Sequence, residues 1–408
     1  MKFLLYSINH SPELTGIGKY NGELAADFAS RGIDTHIVTA LPYYPEWAVH
    51  KGYKNWWSKQ QDKGVTVYRC PLYVPKRVTT LKRLLHLFSF ALSSGLRLLT
   101  LLKLKPDVLF IVQPTLFCAP TALLYCKLTG AKSVLHIQDF EIDAMFGLGM
   151  MKQGLIARLA KKTESWLMRR FDAVSTISYS MMENAKNKGV DEGKLCLFPN
   201  WADIDFVTPV VDGAVLKKEW GFAADDKVVL YAGNMGKKQG LEIVLNAAES
   251  LITDSKLHFV MVGAGVHVDA LKADAVARGL SNVYFKPLQP WERVPEMLAM
   301  ADVHLVIQKC GAADAVLPSK LTNILSAGGH AIVTAENNTE LGLLDERFPG
   351  IYSRIEPENS ELLMSTLQLL LKKDLSKPNK IARDYAVEYL SRDKILSRFE
   401  RDIEELCS

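Results

Sequence analysis

Lys320 stands near the start of PSKLTNILSAGG, residues 318–329, where Pro318 and Ser319 read as the opening of a helix. Helix starts leave backbone N–H groups unpaired, and a lysine among them makes a place for an anion. Gly328 and Gly329 suit the left-handed cap that ends such a helix. A second basic element, YAGNMGKKQGLE, sets Lys237 and Lys238 in a loop with Gly233, Asn234, Gly236 and Gly240, between a strand pattern and a helix pattern. A third, VGAG, brings Gly263 and Gly265. Elements of this kind, ending on one side of one sheet, can gather positive charge and N–H donors around a diphosphate. Each lysine alone also fits a solvated surface; the combination carries the reading.

The elements that must position these residues fall into two series. KFLLYSI, THIVTA, DVLFIVQP, SVLHIQD, AVSTIS and KLCLFPN have strand length and composition and are separated by helical patterns such as YNGELAADFASRG. KVVLYAGN, LHFVMVGAG, VYFKPL, VHLVIQK, HAIVTA and GIYSRI repeat the scheme. Near-continuous apolar strands flanked by helices predict parallel sheets covered on both faces. The expected fold class is α/β, with two doubly wound domains facing a central cleft. Residues 1–200 form the first domain, 201–213 a linker, 214–375 the second domain, and 376–408 helices that could strap back to the first. In the first series, TGIGKYNGELA offers Gly16 and Gly18 for close backbone approach to a ligand, but Asn21 replaces the third glycine of a dinucleotide fingerprint.

Composition narrows the field. With 408 residues, 48% hydrophobic and 23% charged, the chain can bury more than one core. A net charge of +4 does not call for nucleic acid. Six cysteines without metal-ligand spacing, most of them in apolar runs, read as buried, reduced thiols, and the short apolar N-terminus reads as a strand rather than a signal peptide. Together they predict a cytoplasmic protein. Asp203-Ile204-Asp205 spells a DxD, yet it sits in the expected linker without further ligands, so no metal is assigned.

In order and spacing, the glycine loop at Gly16, PNWAD, YAGN, VGAG, ADVHLVI and PSKLTNILSAGG resemble the retaining glycosyltransferases of family 4, with the two-domain GT-B fold. The resemblance covers nearly the whole chain and is nearest to bacterial exopolysaccharide enzymes of the colanic acid type. It implies a nucleotide diphosphate sugar as donor substrate and no separate cofactor. The expected donor contacts are Gly16, Gly18, Gly233, Asn234, Lys237, Gly263, Gly265, Pro287, Leu288, Ser319, Leu321 and Asn323. Many family members carry two glutamates eight positions apart; Ala315 and Asn323 occupy those places here, with Asp314 next to the first. Where the family often has a histidine before an aspartate, this chain has Gln138 before Asp139. Catalysis is therefore assigned to Lys238 and Lys320, which stabilise the departing diphosphate, and to Asp139, which orients the acceptor or steadies positive charge at the anomeric carbon; Gln138 and Asp314 are placed on the acceptor side. The leaving diphosphate itself would take the acceptor proton. The first expectation for the donor is GDP-fucose, with UDP-sugars next.

Residues 80–105 form the most apolar helical stretch, but His86, Arg97 and Lys103 interrupt it too early for a membrane span. Its basic ends suit a helix lying on an anionic inner-membrane surface, and equally a core helix with snorkelling cations. The aromatic loop LPYYPEWAVHKGYKNWW can stack on sugar, sit at a lipid interface or pack beneath itself. A polyprenyl-diphosphate-linked saccharide as acceptor would account for both. The alternatives are a noncatalytic scaffold with an eroded site, for which the absent glutamates speak, and an epimerase or phosphorylase of the same fold.

Overall fold

The computed structural model describes residues 1–13, 16–44, 46–76, 79–113, 116–140, 142–143, 154–311 and 317–408. The chain divides into one unit of residues 1–200 and 396–408 and another of residues 201–395.

The first unit holds β1 (Lys2–Tyr6), β2 (Asp34–Ala40), β3 (Ser58–Asp62), β4 (Val65–Cys70), β5 (Val108–Gln113), β6 (Lys132–Ile137), β7 (Ala173–Thr176) and β8 (Leu195–Leu197) in the order β3-β4-β2-β1-β5-β6-β7-β8. All neighbours are parallel except β3 and β4, a hairpin turned by Lys63 and Gly64 with φ of 49° and 81°. Two positive φ angles give the primed turn whose twist matches flanking strands. Neither strand is among the segments named from the sequence: SKQQD on β3 is polar and lies at the sheet edge, and VTVYRC on β4, though buried throughout, interrupts its apolar residues with Thr66, Tyr68 and Arg69. The central strands are buried along their length, as expected where helices cover both faces.

The second unit holds β9 (Lys227–Ala232), β10 (Leu257–Val262), β11 (Val283–Lys286), β12 (Val303–Val306), β13 (Ala331–Thr334) and β14 (Ser353–Ile355), all parallel, in the order β11-β10-β9-β12-β13-β14. Its strand order reverses between β9 and β12, the place where doubly wound sheets bind ligands.

Two segments fold differently from the reading above. Ala202, Ile204 and Val207, read as linker, are buried in the core of the second unit. Ala382, Tyr385, Ala386 and Leu390, read as C-terminal strap, join the same core, and Arg383 donates to the carbonyls of Ile204, Val207 and Ser326. Apolar residues spaced by prolines and acids had concealed the packing. Only from Leu396 does the chain belong to the first unit, where Phe399 stacks on Phe198 at 3.9 Å and Arg31 pairs with Glu400 at 3.0 Å.

Candidate functional site

The loop after β9 runs beside the loop after β10. Gly233 N–H donates to the Val262 carbonyl and Met235 N–H to that of Ala264, both at 2.9 Å, so backbone meets backbone without intervening side chains. A Cβ on Gly263 would overlap the Gly233 carbonyl oxygen, and one on Gly265 that of Met235. Both glycines also have φ near 150°, which other residues rarely adopt. Close packing thus demands the glycines that the sequence suggested for ligand approach.

The helix Ser319–Ser326 begins after Pro318, and Gly328 ends it with φ 64°. Lys320, half-buried in its first turn, extends its stem along Gly233 and lies over the Tyr231 ring at 4.6 Å. Its Nζ donates to the Tyr231 hydroxyl at 3.3 Å, and that hydroxyl donates to the Asn234 carbonyl at 2.6 Å. Burial holds the Tyr231 phenol well above its ordinary pKa, so it stays a neutral donor and acceptor beneath the ammonium.

Gly233, Leu288, Ser319, Lys320 and Asn323 line one cavity of about 250 Å³ in the second unit. Its walls are otherwise mostly apolar, from Val262, Met297, Leu298 and Ile324, with Gln289 and His304 also in the lining. Among the described lining residues Lys320 is the cation, and none is a carboxylate. Apolar walls with a few convergent polar groups mark a small-molecule site, and the polarity here favours an anion at the Lys320 end. His304 is buried, and burial lowers its pKa to about 4, so it is a neutral ring.

The remaining expected residues are placed variously. Lys237 and Lys238 are exposed on the turn Lys237–Gln239 and are not among the cavity lining. Leu321 is fully buried in the core of the unit, so its side chain is not a ligand contact; the amphipathic helix must hide that face. The Pro287 carbonyl accepts from Gln289 Nε2 at 2.9 Å. In the first unit, Gly16 and Gly18 lie within the helix Gly16–Ser30 rather than in a loop before it. Gly16 faces open space, while a Cβ on Gly18 would stand 2.7 Å from that of Glu13. Asp139 is exposed just beyond β6. Gln138 exchanges amide hydrogen bonds with Asn200 at 3.0 and 3.1 Å and donates to His136 Nε2 at 2.8 Å, so its amide serves an internal network. Asp314 and Ala315 lie outside the described residues. Asp203 Oδ1 accepts the Phe206 N–H at 3.1 Å, the work of a turn cap.

Lys309, Tyr231 and Gln289 are absent from the sequence-based site. Lys309 follows β12, its N–H donates to the Lys238 carbonyl at 3.0 Å, and a Cβ on Gly240 would collide with its stem. It thereby brings another cation to the basic loop. The signal was present in VHLVIQK, a buried strand ending in lysine on the same sheet edge.

Residues 15–201 match the glycosyl transferase 4-like domain, and residues 214–387 match the glycosyl transferases group 1. The chain is 49% identical over 408 residues to the putative colanic acid biosynthesis glycosyl transferase WcaI of Escherichia coli strain K12, across 99% of this chain and 100% of that one. Sucrose-phosphate synthase from Thermosynechococcus elongatus shares the fold with a TM-score of 0.73 at 13% identity, over 100% of this chain and 99% of that one. Anabaena HepE, solved in complex with UDP, does so with a TM-score of 0.69 at 13% identity, over 99% of this chain and 100% of that one.

Proposed function

The chain belongs to the family 4, group 1 glycosyltransferases, retaining enzymes of the GT-B fold, and on that footing we propose that its donor is bound in the second unit with the diphosphate at Lys320. The observation that carries this reading is the Lys320 ammonium, held by Tyr231 against the bare backbone of Gly233 at the end of an apolar cavity. The apolar walls take the nucleoside. The ammonium and the N–H groups of the helix start meet the charge that grows on the leaving oxygen as the glycosidic bond breaks. Lys238, with Lys309 bonded to its carbonyl, supplies further positive potential from the neighbouring loop. Asn323 offers an amide to the donor where many relatives place a carboxylate. Asp139 orients the acceptor from the first unit.

We assign the reaction to assembly of a colanic-acid-type exopolysaccharide, on a polyprenyl-diphosphate-linked saccharide at an anionic inner-membrane surface. GDP-fucose is the first donor to test. A thermal-shift panel of GDP- and UDP-sugars checks it, because a ligand that binds only the folded state raises apparent stability. The expected result is a shift with GDP-fucose that Lys320→Ala abolishes; a shift with UDP-sugars alone would replace the donor, and no shift with any nucleotide sugar would remove the donor site.

A further inference from the structure

The helix Thr80–Thr100 is apolar on the face it turns away from the sheet as well as on the face it buries. His86, Leu87, Phe90, Ser94 and Leu98 are buried. Leu81, Leu85, Phe88, Leu92, Leu96 and Leu99, three or four positions apart, are exposed, from 49% at Leu85 to 68% at Leu81. Such spacing forms one continuous stripe along a helix. The turn Leu116–Cys118 and the helix Ala119–Thr129 widen it: Phe88 meets Phe117 edge to face at 6.4 Å, Tyr125 donates to the Leu101 carbonyl at 2.8 Å, and Leu124 and Leu128 are exposed. A contiguous apolar surface of this kind marks an interaction site. No helix among the described residues is long and apolar enough to cross a membrane.

Charge identifies the occupant. Residues 63–138 contain eleven Lys and Arg and a single acid, Asp107, whose carboxylate already accepts from the Lys2 N–H at 2.6 Å. Lys76, Lys82, Lys103, Lys105 and Lys127 are exposed around the apolar stripe. A symmetric contact between two copies would press these like charges together. An anionic bilayer would neutralise them and accept the leucines. Exposed Tyr44, Trp56 and Tyr73 belong to the same unit, and the Tyr73 carbonyl is fastened to the helix by His86 Nδ1 at 2.6 Å, a composition suited to the headgroup layer. We infer that these two helices form a monotopic membrane-insertion face, lying in the plane of an anionic leaflet with the leucine stripe in its acyl boundary. This deepens the transferase reading, on which it rests for the lipid-linked acceptor.

Arg97, which interrupts the apolar stretch, is half-buried over the Tyr68 ring at 5.8 Å and takes no part. Apolar insertion therefore dominates, with charge assisting. The test is sedimentation of the full chain with phosphatidylcholine vesicles, with and without phosphatidylglycerol, in low and high salt. Wild type is expected to bind the anionic vesicles. Leu85→Gln/Leu92→Gln/Leu96→Gln, all at exposed sites, should weaken binding by about tenfold or more at either salt. Lys82→Glu/Lys103→Glu/Lys127→Glu should weaken it chiefly at low salt. Light scattering with wild type monomeric supports the bilayer. Wild type remaining in solution, the glutamine variant binding as tightly, or a wild-type dimer that this variant dissociates would overturn the inference. The vesicles carry no sugar, so the outcome is independent of the transfer reaction.

Discussion

At the strand-order reversal of the second unit, the backbone after β9 is bare: Gly233 and Gly263 face each other, and Lys320 reaches in from a helix start. At the corresponding reversal of the first unit, between β1 and β5, side chains fill the loop. Asn21 donates to Ser7 Oγ and the Asn9 carbonyl, Asn9 donates to Glu13, and the buried Glu13 carboxylate accepts the N–H groups of Tyr43 and Tyr44 at 3.0 and 2.9 Å. Strand order alone therefore does not decide where an anion can bind. One loop is glycine-lined beside a cation, and the other is tied down by a buried carboxylate that positions the aromatic loop after β2.

The sharpest way to break this contrast is to add one methyl group. Gly263→Ala would force Cβ into the Gly233 carbonyl, costing about 3 kcal/mol at the loop and roughly 10²-fold in donor affinity by calorimetry. Lys320→Ala should lower kcat by roughly 10²-fold while leaving the thermal midpoint nearly unchanged, the scale for losing a group aimed at developing charge. Glu13→Ala acts on the other unit: it leaves buried N–H donors unpaired, lowers stability by about 1–3 kcal/mol and raises KM for the acceptor, with nucleotide affinity retained.

Acid gives the mildest comparison. Burial is the largest cause lowering the pKa of His10 and His136 to about 3 in the first unit, and of His304 to about 4 in the second. Unfolded histidines bind protons near pH 6.5 while these stay neutral, so their stabilisation is complete above that pH and declines as pH falls toward the folded values. Each withdraws roughly 1.4 kcal/mol per pH unit once the unfolded form is protonated. The first unit, with two of these residues, should lose more than the second, read as unit-specific hydrogen exchange between pH 6.5 and 5.

Much of this was legible beforehand because most buried parallel strands read as apolar runs: β1, β2 and β5 to β14 lie in segments recognised from composition, whereas the buried β4 does not, since Thr66, Tyr68 and Arg69 interrupt its run. Polar edge strands carry no such signal, and β3 shows the consequence. The PSK helix start was visible from local residue types, whereas Tyr231 beneath Lys320 depends on a strand and a helix meeting 89 residues apart. The exposed stripe on Thr80–Thr100 was hidden for another reason. An apolar helix gives the same sequence pattern whether its outer face is covered or bare, and only three-dimensional exposure separates the two.

The role proposed for Lys320 is to stabilise a departing nucleoside diphosphate. Donor-dependent release of that diphosphate, followed in wild type and Lys320→Ala with the nucleotide sugar that stabilises the protein most, tests it directly. Turnover is expected in wild type, with a loss of roughly 10²-fold in kcat in the variant at saturating donor and both proteins equally folded. Near-normal kcat in Lys320→Ala, or no release by wild type in the presence of a lipid-linked saccharide, would contradict it.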